Sequence, residues 1–160
     1  GYQGAKPAAT MDESFPDVMN YVENHYKVAK DKAHRAICGL SMGGGHSFDI
    51  SRRFPTKFDY IGLFSAGLHV STTGDFRNDF YKQLQGNEEA KAQLATLFKN
   101  KPKLYWIGMG KTDFLYKSSA DLRRYFDEKG YKYTYMETEG GHIWRNWRVY
   151  LTEFAQKIFK

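Results

Sequence analysis

Apolar residues along the 160-residue chain fall into two alternating rhythms. Phe15, Val18, Met19, Val22 and Tyr26 recur every three or four positions, which predicts an amphipathic helix to about Tyr26, with Asp12 available to cap it. Arg35 to Gly39 is a short apolar run and predicts a buried strand, which Ser41-Met42-Gly43-Gly44-Gly45 breaks sharply. A helix is expected next, through Phe48 to Arg53, ending before Pro55 because a proline disfavours helical backbone in the residue ahead of it. Tyr60 to Phe64 predicts a second buried strand. Ser65 to Gly86 is rich in Gly, Ser, Thr and Asp and predicts a long irregular excursion with a short helix near Phe80. Glu88 to Lys99 reads as a helix with Ala90, Leu94, Leu97 and Phe98 on one side, and Lys103 to Gly108 as a third strand. Ser118 is expected to cap a helix that Gly130 stops after Lys129. Tyr131 to Thr138 predicts a fourth strand, and Trp144 to Phe159 a closing helix. Alternating strands and helices predict an α/β fold with a mainly parallel sheet and right-handed crossovers.

Composition narrows the class. Hydrophobic residues are 41% and charged residues 26%, as in an ordinary globular protein. No apolar run is long enough to cross a bilayer, so no membrane partner is expected. The chain does not open on Met and carries no charged-then-apolar signal segment, so any targeting peptide is expected to have been removed or to lie outside it. Cys38 is the single cysteine, which excludes an internal disulfide; within Ala36-Ile37-Cys38 it reads as a small buried core residue. The net charge is +6, but Lys and Arg are scattered, with pairs such as Arg52-Arg53 and Arg123-Arg124 as the densest clusters. That pattern is a solvated basic surface with at most a mild attraction for acidic polymers, not a nucleic-acid interface. Aromatics reach 17%, enough to fill a core and to line a groove for sugar rings or aryl groups.

The chemistry concentrates in Gly39-Leu40-Ser41-Met42-Gly43, a G-x-S-x-G pattern between a predicted strand and a predicted helix. A serine hydroxyl is a weak nucleophile and must be held exposed against a base, which a tight strand-to-helix turn does. Flanking glycines remove the Cβ atoms that would clash there, and the Met42 amide at the helix start can face a developing oxyanion. A carboxylate and then a histidine should follow, on loops after later strands. Asp113 follows the third strand in Gly108-Met109-Gly110-Lys111-Thr112-Asp113, and His142 follows the fourth in Glu139-Gly140-Gly141-His142. His142 can take the Ser41 proton while Asp113 holds the other ring nitrogen. Asp121 and Asp127 fall within a predicted helix and read as solvated charges. His25, His34, His46 and His69 read as surface or packing residues and lack metal-ligand spacing, so no metal site is expected. Trp147 is expected to pack on the sheet, whereas Trp144 divides between packing and lining the site. Phe76, Phe80 and Tyr81, in the excursion expected to stand over the site, are candidate substrate contacts.

Four blocks carry a family resemblance: Gly39 to Gly45, Phe58-Asp59-Tyr60-Ile61-Gly62-Leu63-Phe64-Ser65, Gly108 to Leu115, and Gly140-Gly141-His142-Ile143-Trp144. From about Asp12 to the end, the chain resembles the feruloyl and acetyl xylan esterases of carbohydrate esterase family one, within the esterase D superfamily of α/β-hydrolases. The resemblance implies a three-layer sandwich and no cofactor. It implies hydrolysis of feruloyl or acetyl esters on xylan or xylo-oligosaccharide through an acyl-enzyme, in a secreted or periplasmic enzyme. It also implies several strands ahead of the helix near Asp12. Residues 1–160 are therefore expected to be the C-terminal part of a single hydrolase domain. An N-terminal fragment is expected to complete the fold, supplying the second oxyanion donor and covering the apolar edge at Arg35. Two alternatives share the same residues: a peptidase or thioester hydrolase on the same fold, and a non-catalytic polysaccharide-binding module.

Overall fold

The computed structural model describes residues 10–70 and 79–160. The chain divides into two units, residues 1–30 and 31–160. In the first, helix α1 spans Met11–His25. Thr10, rather than Asp12, is its cap: the Thr10 hydroxyl accepts from the Glu13 amide at 3.3 Å and the Glu13 carboxylate accepts from the Thr10 amide at 2.9 Å. This reciprocal box satisfies two amides that have no partner within the helix, which Asp12, already in the first turn, does not do.

The second unit is a four-stranded sheet in the order β1 (Ala36–Leu40), β2 (Tyr60–Phe64), β3 (Leu104–Gly110) and β4 (Thr134–Thr138). All three pairings are parallel, so every strand delivers its C-terminal end to one rim. Helices α2 (Met42–Arg53), α3 (Phe80–Gln85), α4 (Glu88–Lys99) and α5 (Tyr116–Lys129) are mutually packed, with α2 on β1 and β2 and α5 on β3. Helix α6 (Trp144–Ala155) packs on β2 and β3.

The pleat sorts the strand residues between these layers. Tyr60, Phe64 and Trp106 pack with Tyr150 and Phe154 of α6. Tyr105 points the other way, against Phe98 of α4 and Phe126 of α5. Phe48, Ile61, Phe80, Leu84, Leu94, Leu122 and Phe126 are all essentially sealed from water. Each such side chain contributes about 1.5–3 kcal/mol relative to an exposed position.

Several elements shift from their predicted bounds. Helix α5 starts at Tyr116, and Ser118 sits in its first turn, its hydroxyl donating to the Leu115 carbonyl at 2.9 Å. Helix α6 ends at Ala155, and β4 begins only at Thr134, where pairing with Trp106 starts. Cys38 is a correction: it is exposed, not a core residue. It lies on β1, an edge strand whose one partner among the described residues is β2. It lines a largely apolar hollow of about 240 Å³ together with Leu40, Phe64, Trp144, Trp147, Leu151 and the single charged residue Arg148.

Candidate active site

Strand β1 ends at Leu40 and α2 begins at Met42, so the whole reversal falls on Ser41. Its backbone sits at φ 55 and ψ −117, a conformation that costs a non-glycine residue energy and needs surrounding structure to hold it. Three hydrogen bonds do so. The Ser41 amide donates to the Phe64 carbonyl at 2.9 Å, and the Ser41 carbonyl accepts from the amides of Gly67 at 2.9 Å and Gly45 at 3.2 Å. A methyl group at Gly39 would collide with the carbonyl of Gly43, so the approach of strand to helix requires glycine there.

Strand β3 ends at Gly110, and the turn after it places Asp113. The carboxylate is buried; its Oδ1 accepts from the Leu115 amide at 2.9 Å. Strand β4 ends at Thr138, and the following loop carries His142. The two loops are laced together: the Lys111 amide donates to the Thr138 carbonyl at 2.9 Å and the Thr112 amide to the Gly140 carbonyl at 3.0 Å. The sheet pairing thus continues past its last strand residues and fixes the separation of Asp113 and His142.

The three side chains meet. The His142 Nδ1 lies 2.9 Å from the Asp113 Oδ2, and the His142 Nε2 lies 3.0 Å from the Ser41 Oγ. A carboxylate can only accept, so Nδ1 carries the ring hydrogen and donates it to Asp113. Nε2 is then left with a lone pair for the Ser41 hydroxyl. The imidazole side chain is 20% exposed and the Asp113 side chain 0%, so the carboxylate is sealed from water while the ring keeps partial access to it. Met42 follows Ser41 as the first residue of α2, where backbone amides have no carbonyl one turn back to bond.

The ring of His142 is bracketed. Trp147 meets it edge-on at 4.9 Å between centroids and Phe114 flanks it at 4.8 Å. Trp147 packs against the core as expected, and its indole N–H also donates to the Ser65 hydroxyl at 3.1 Å. Trp144 is 66% exposed and touches Trp147 rather than His142. Phe114, 57% exposed, was invisible to sequence reasoning, although it lies next to Asp113 and is an aromatic residue in a turn.

The candidate substrate contacts fare differently. Phe80 is a correction: it is fully buried against Phe48, as a core residue and not a site residue. Tyr81 sits over α5, its hydroxyl donating to Glu128 at 2.6 Å and its ring 3.9 Å from the Arg124 guanidinium. Phe76 lies outside the described residues. Asp121 is also a correction, since its side chain is mostly buried and accepts from the Tyr81 amide at 3.2 Å and from Lys117. Asp127 accepts from the Tyr133 hydroxyl at 2.8 Å on the exposed surface. His25 stacks on Tyr21 and His34 pairs with Asp31. Among the described residues no group of three or more His, Cys, Asp and Glu side chains is arranged to hold a metal, and no helix is long and apolar enough to cross a membrane.

Comparison with known proteins bears on this geometry. Residues 15–158 match the family described as "Putative esterase". The chain is 24% identical over 164 residues to an acetyl esterase of Caldicellulosiruptor saccharolyticus, covering 90% of this chain and 61% of that protein. It is 29% identical over 154 residues to an endo-1,4-beta-xylanase/feruloyl esterase of Xylanibacter ruminicola, covering 94% of this chain and 17% of that protein. A ferulic acid esterase structure superposes with a TM-score of 0.69 at 25% identity, over 88% of this chain and 58% of that one. S-formylglutathione hydrolase of Staphylococcus aureus superposes with a TM-score of 0.77 at 18% identity, over 99% of this chain and 67% of that one. The fold is that of the α/β-hydrolase esterases, and the chain spans only part of the length of each relative.

Proposed function

The chain belongs to this esterase family, resembling the carbohydrate esterases of family one, and on that premise we propose that it is a serine carboxylic ester hydrolase with Ser41, Asp113 and His142 as its catalytic residues. One observation carries the reading: His142 touches the Ser41 hydroxyl with one ring nitrogen and the buried Asp113 carboxylate with the other. In the reaction, the Ser41 oxygen attacks the ester carbonyl as Nε2 of His142 takes its proton. Asp113 stabilises the imidazolium that forms and holds the ring against rotation. The negative charge arriving on the carbonyl oxygen is met by the Met42 amide at the start of α2. His142 then returns its proton to the departing alcohol oxygen, leaving the acyl group on Ser41. A water molecule, deprotonated by the same nitrogen, releases the acid.

The proposed substrate is a feruloyl or acetyl ester on xylan or xylo-oligosaccharide. Supporting it are the names of the acetyl esterase and xylanase/feruloyl esterase relatives, together with an aromatic face at the site. Phe114 is the best placed side chain to lie along a flat acyl group, being exposed and against His142. By analogy with the family, the proposed setting is secreted or periplasmic. We further propose that strand-bearing polypeptide of the same enzyme covers the β1 edge and its apolar hollow, and brings the second oxyanion donor.

Labelling by a fluorophosphonate tests the chemistry: the chain, alone or with its complementing segment, should be labelled, and Ser41→Ala should not. A substrate panel tests the rest. Methyl ferulate and aryl acetate should be turned over well ahead of peptide anilides and thioesters; the reverse order would remove the carbohydrate-ester assignment. Labelling of the Ser41→Ala chain would remove Ser41 as nucleophile.

A further inference from the structure

The loop that carries His142 has an anchor that the reaction scheme does not use. Asn146 lies on the first turn of α6 and is 3% exposed. It occupies the buried stripe of that helix, one and two turns ahead of the core residues Tyr150 and Phe154. A polar side chain in such a position must spend its hydrogen bonds internally. The Asn146 Nδ2 does so by donating to the carbonyl of Glu139 at 3.1 Å and to the carbonyl of Gly141 at 3.0 Å. Both hydrogens of the carboxamide nitrogen are thereby used.

These carbonyls bracket the approach to His142. The carbonyl between them, that of Gly140, accepts from the Thr112 amide on the loop that carries Asp113. Three successive carbonyls ahead of the histidine are therefore pinned, two by α6 and one by the neighbouring loop. The packing has no slack: a methyl group added at Gly110 would collide with the Gly140 carbonyl and crowd the Asn146 nitrogen. Helix α6 reinforces the same rim through Trp147, whose ring abuts His142, and through Tyr150, whose hydroxyl is 2.6 Å from the Thr138 hydroxyl at the end of β4. A reacting group displaced by about 1 Å loses on the order of 10²-fold in rate.

We infer that Asn146 is a positioning residue for His142, holding the imidazole at the separation at which it reaches Ser41 and Asp113 together. The inference rests on the proposed roles of those three residues. It does not depend on which acyl group is cleaved.

The test compares Asn146→Ala and the near-isosteric Asn146→Asp with the wild-type chain, each with the complementing segment where labelling needs it. Both replacements should slow fluorophosphonate labelling by roughly 10- to 100-fold. With an ester substrate, kcat should fall and KM should hold. The far-downfield proton signal of the His142–Asp113 hydrogen bond should shift or broaden, and the far-ultraviolet circular dichroism should be unchanged. Asn146→Asp should be at least as impaired, because it turns an oxygen toward two carbonyl oxygens. Wild-type rate and an unmoved proton signal in the variants would overturn the inference alone; an unlabelled wild type would overturn the reading of Ser41 and this inference with it. Should neither variant fold, hydrogen exchange of the Asn146 carboxamide in the unmodified chain decides. Slow exchange is expected, and exchange as fast as that of a surface asparagine would overturn the anchor.

Discussion

The two edges of the sheet are built from opposite materials. On β4, Thr134 and Glu137 are exposed, and the strand is dressed with polar ties. The Tyr116 and Tyr135 hydroxyls both donate to Glu137 at 2.8 Å, Arg123 lies 3.7 Å from the ring centre of Tyr135, and Lys111 pairs with Glu139. Unpaired strand edges invite association, and charges along the strand discourage it. On β1, Ala36-Ile37-Cys38-Gly39-Leu40 has no charge at all, and the hollow beside it is lined by Leu40, Phe64, Trp144, Trp147 and Leu151, with Arg148 as its one charged lining residue. Leu151 is 53% exposed. The β4 edge is dressed for water, and the β1 edge has the apolar character that the proposed covering segment would bury. Yet each delivers one side chain of the proposed catalytic trio to the same rim, the Ser41 hydroxyl after β1 and the His142 imidazole after β4, with the Asp113 carboxylate between them after β3.

The largest expected effects test that division of labour. Ser41→Ala on the β1 side and His142→Ala on the β4 side should each reduce ester turnover by about 10⁴-fold or more, as measured with methyl ferulate or an aryl acetate. A much milder loss from either would separate that edge from the chemistry. Asp113→Asn should cost on the order of 10³- to 10⁴-fold, because an amide nitrogen facing Nδ1 favours the wrong ring tautomer. It should leave the circular dichroism unchanged.

Next comes the asymmetry of the edges themselves. Cys38→Lys adds a second cation beside Arg148 in the hollow, and with the proposed covering segment present it should destabilise by about 1–3 kcal/mol in a urea melt. Thr134→Lys on β4 should stay within roughly 0.5 kcal/mol. Equal effects would break the contrast between an apolar and a polar edge.

The smallest effect is a pH dependence on β4. Hydrogen bonds from Tyr116 and Tyr135 hold the Glu137 carboxyl below its ordinary value of 4.5. A depressed carboxyl stabilises the fold above its unfolded-state value and loses that contribution as pH falls through its folded-state value. Glu137→Gln should therefore lower the urea midpoint slightly at neutral pH, and the difference from wild type should vanish in acid. A difference that persists in acid would separate the ties from the carboxylate's charge.

Much of the architecture was legible from residue pattern, and the misses have physical causes. Strand and helix order follow from two periodicities that short apolar runs and glycine breaks keep distinct. Their bounds shifted where pairing partners rather than propensity decide, as at Thr134. Phe80 and Asp121 were misplaced because burial depends on what packs above a helix, and α3 docks on α5 across a long stretch of chain. Cys38 reads as a core residue by its neighbours and is exposed because its strand lies at an edge. Asn146 carried a signal in hindsight, a polar residue four positions before Tyr150 on the stripe that ends in Phe154.

The linear sequence determined the kinds of element, their parallel order and which three side chains, Ser41, Asp113 and His142, are candidates for the chemistry. Local chemistry decides these: a G-x-S-x-G turn works only between a strand and a helix, and parallel strands send their loops to one rim. Tertiary structure alone decided the distances. Whether His142 lies 3.0 Å from Ser41 depends on backbone bonds between loops far apart in the chain and on a carboxamide of α6. No residue type encodes such a separation by itself, because it is set by the packing of α6 on β2 and β3.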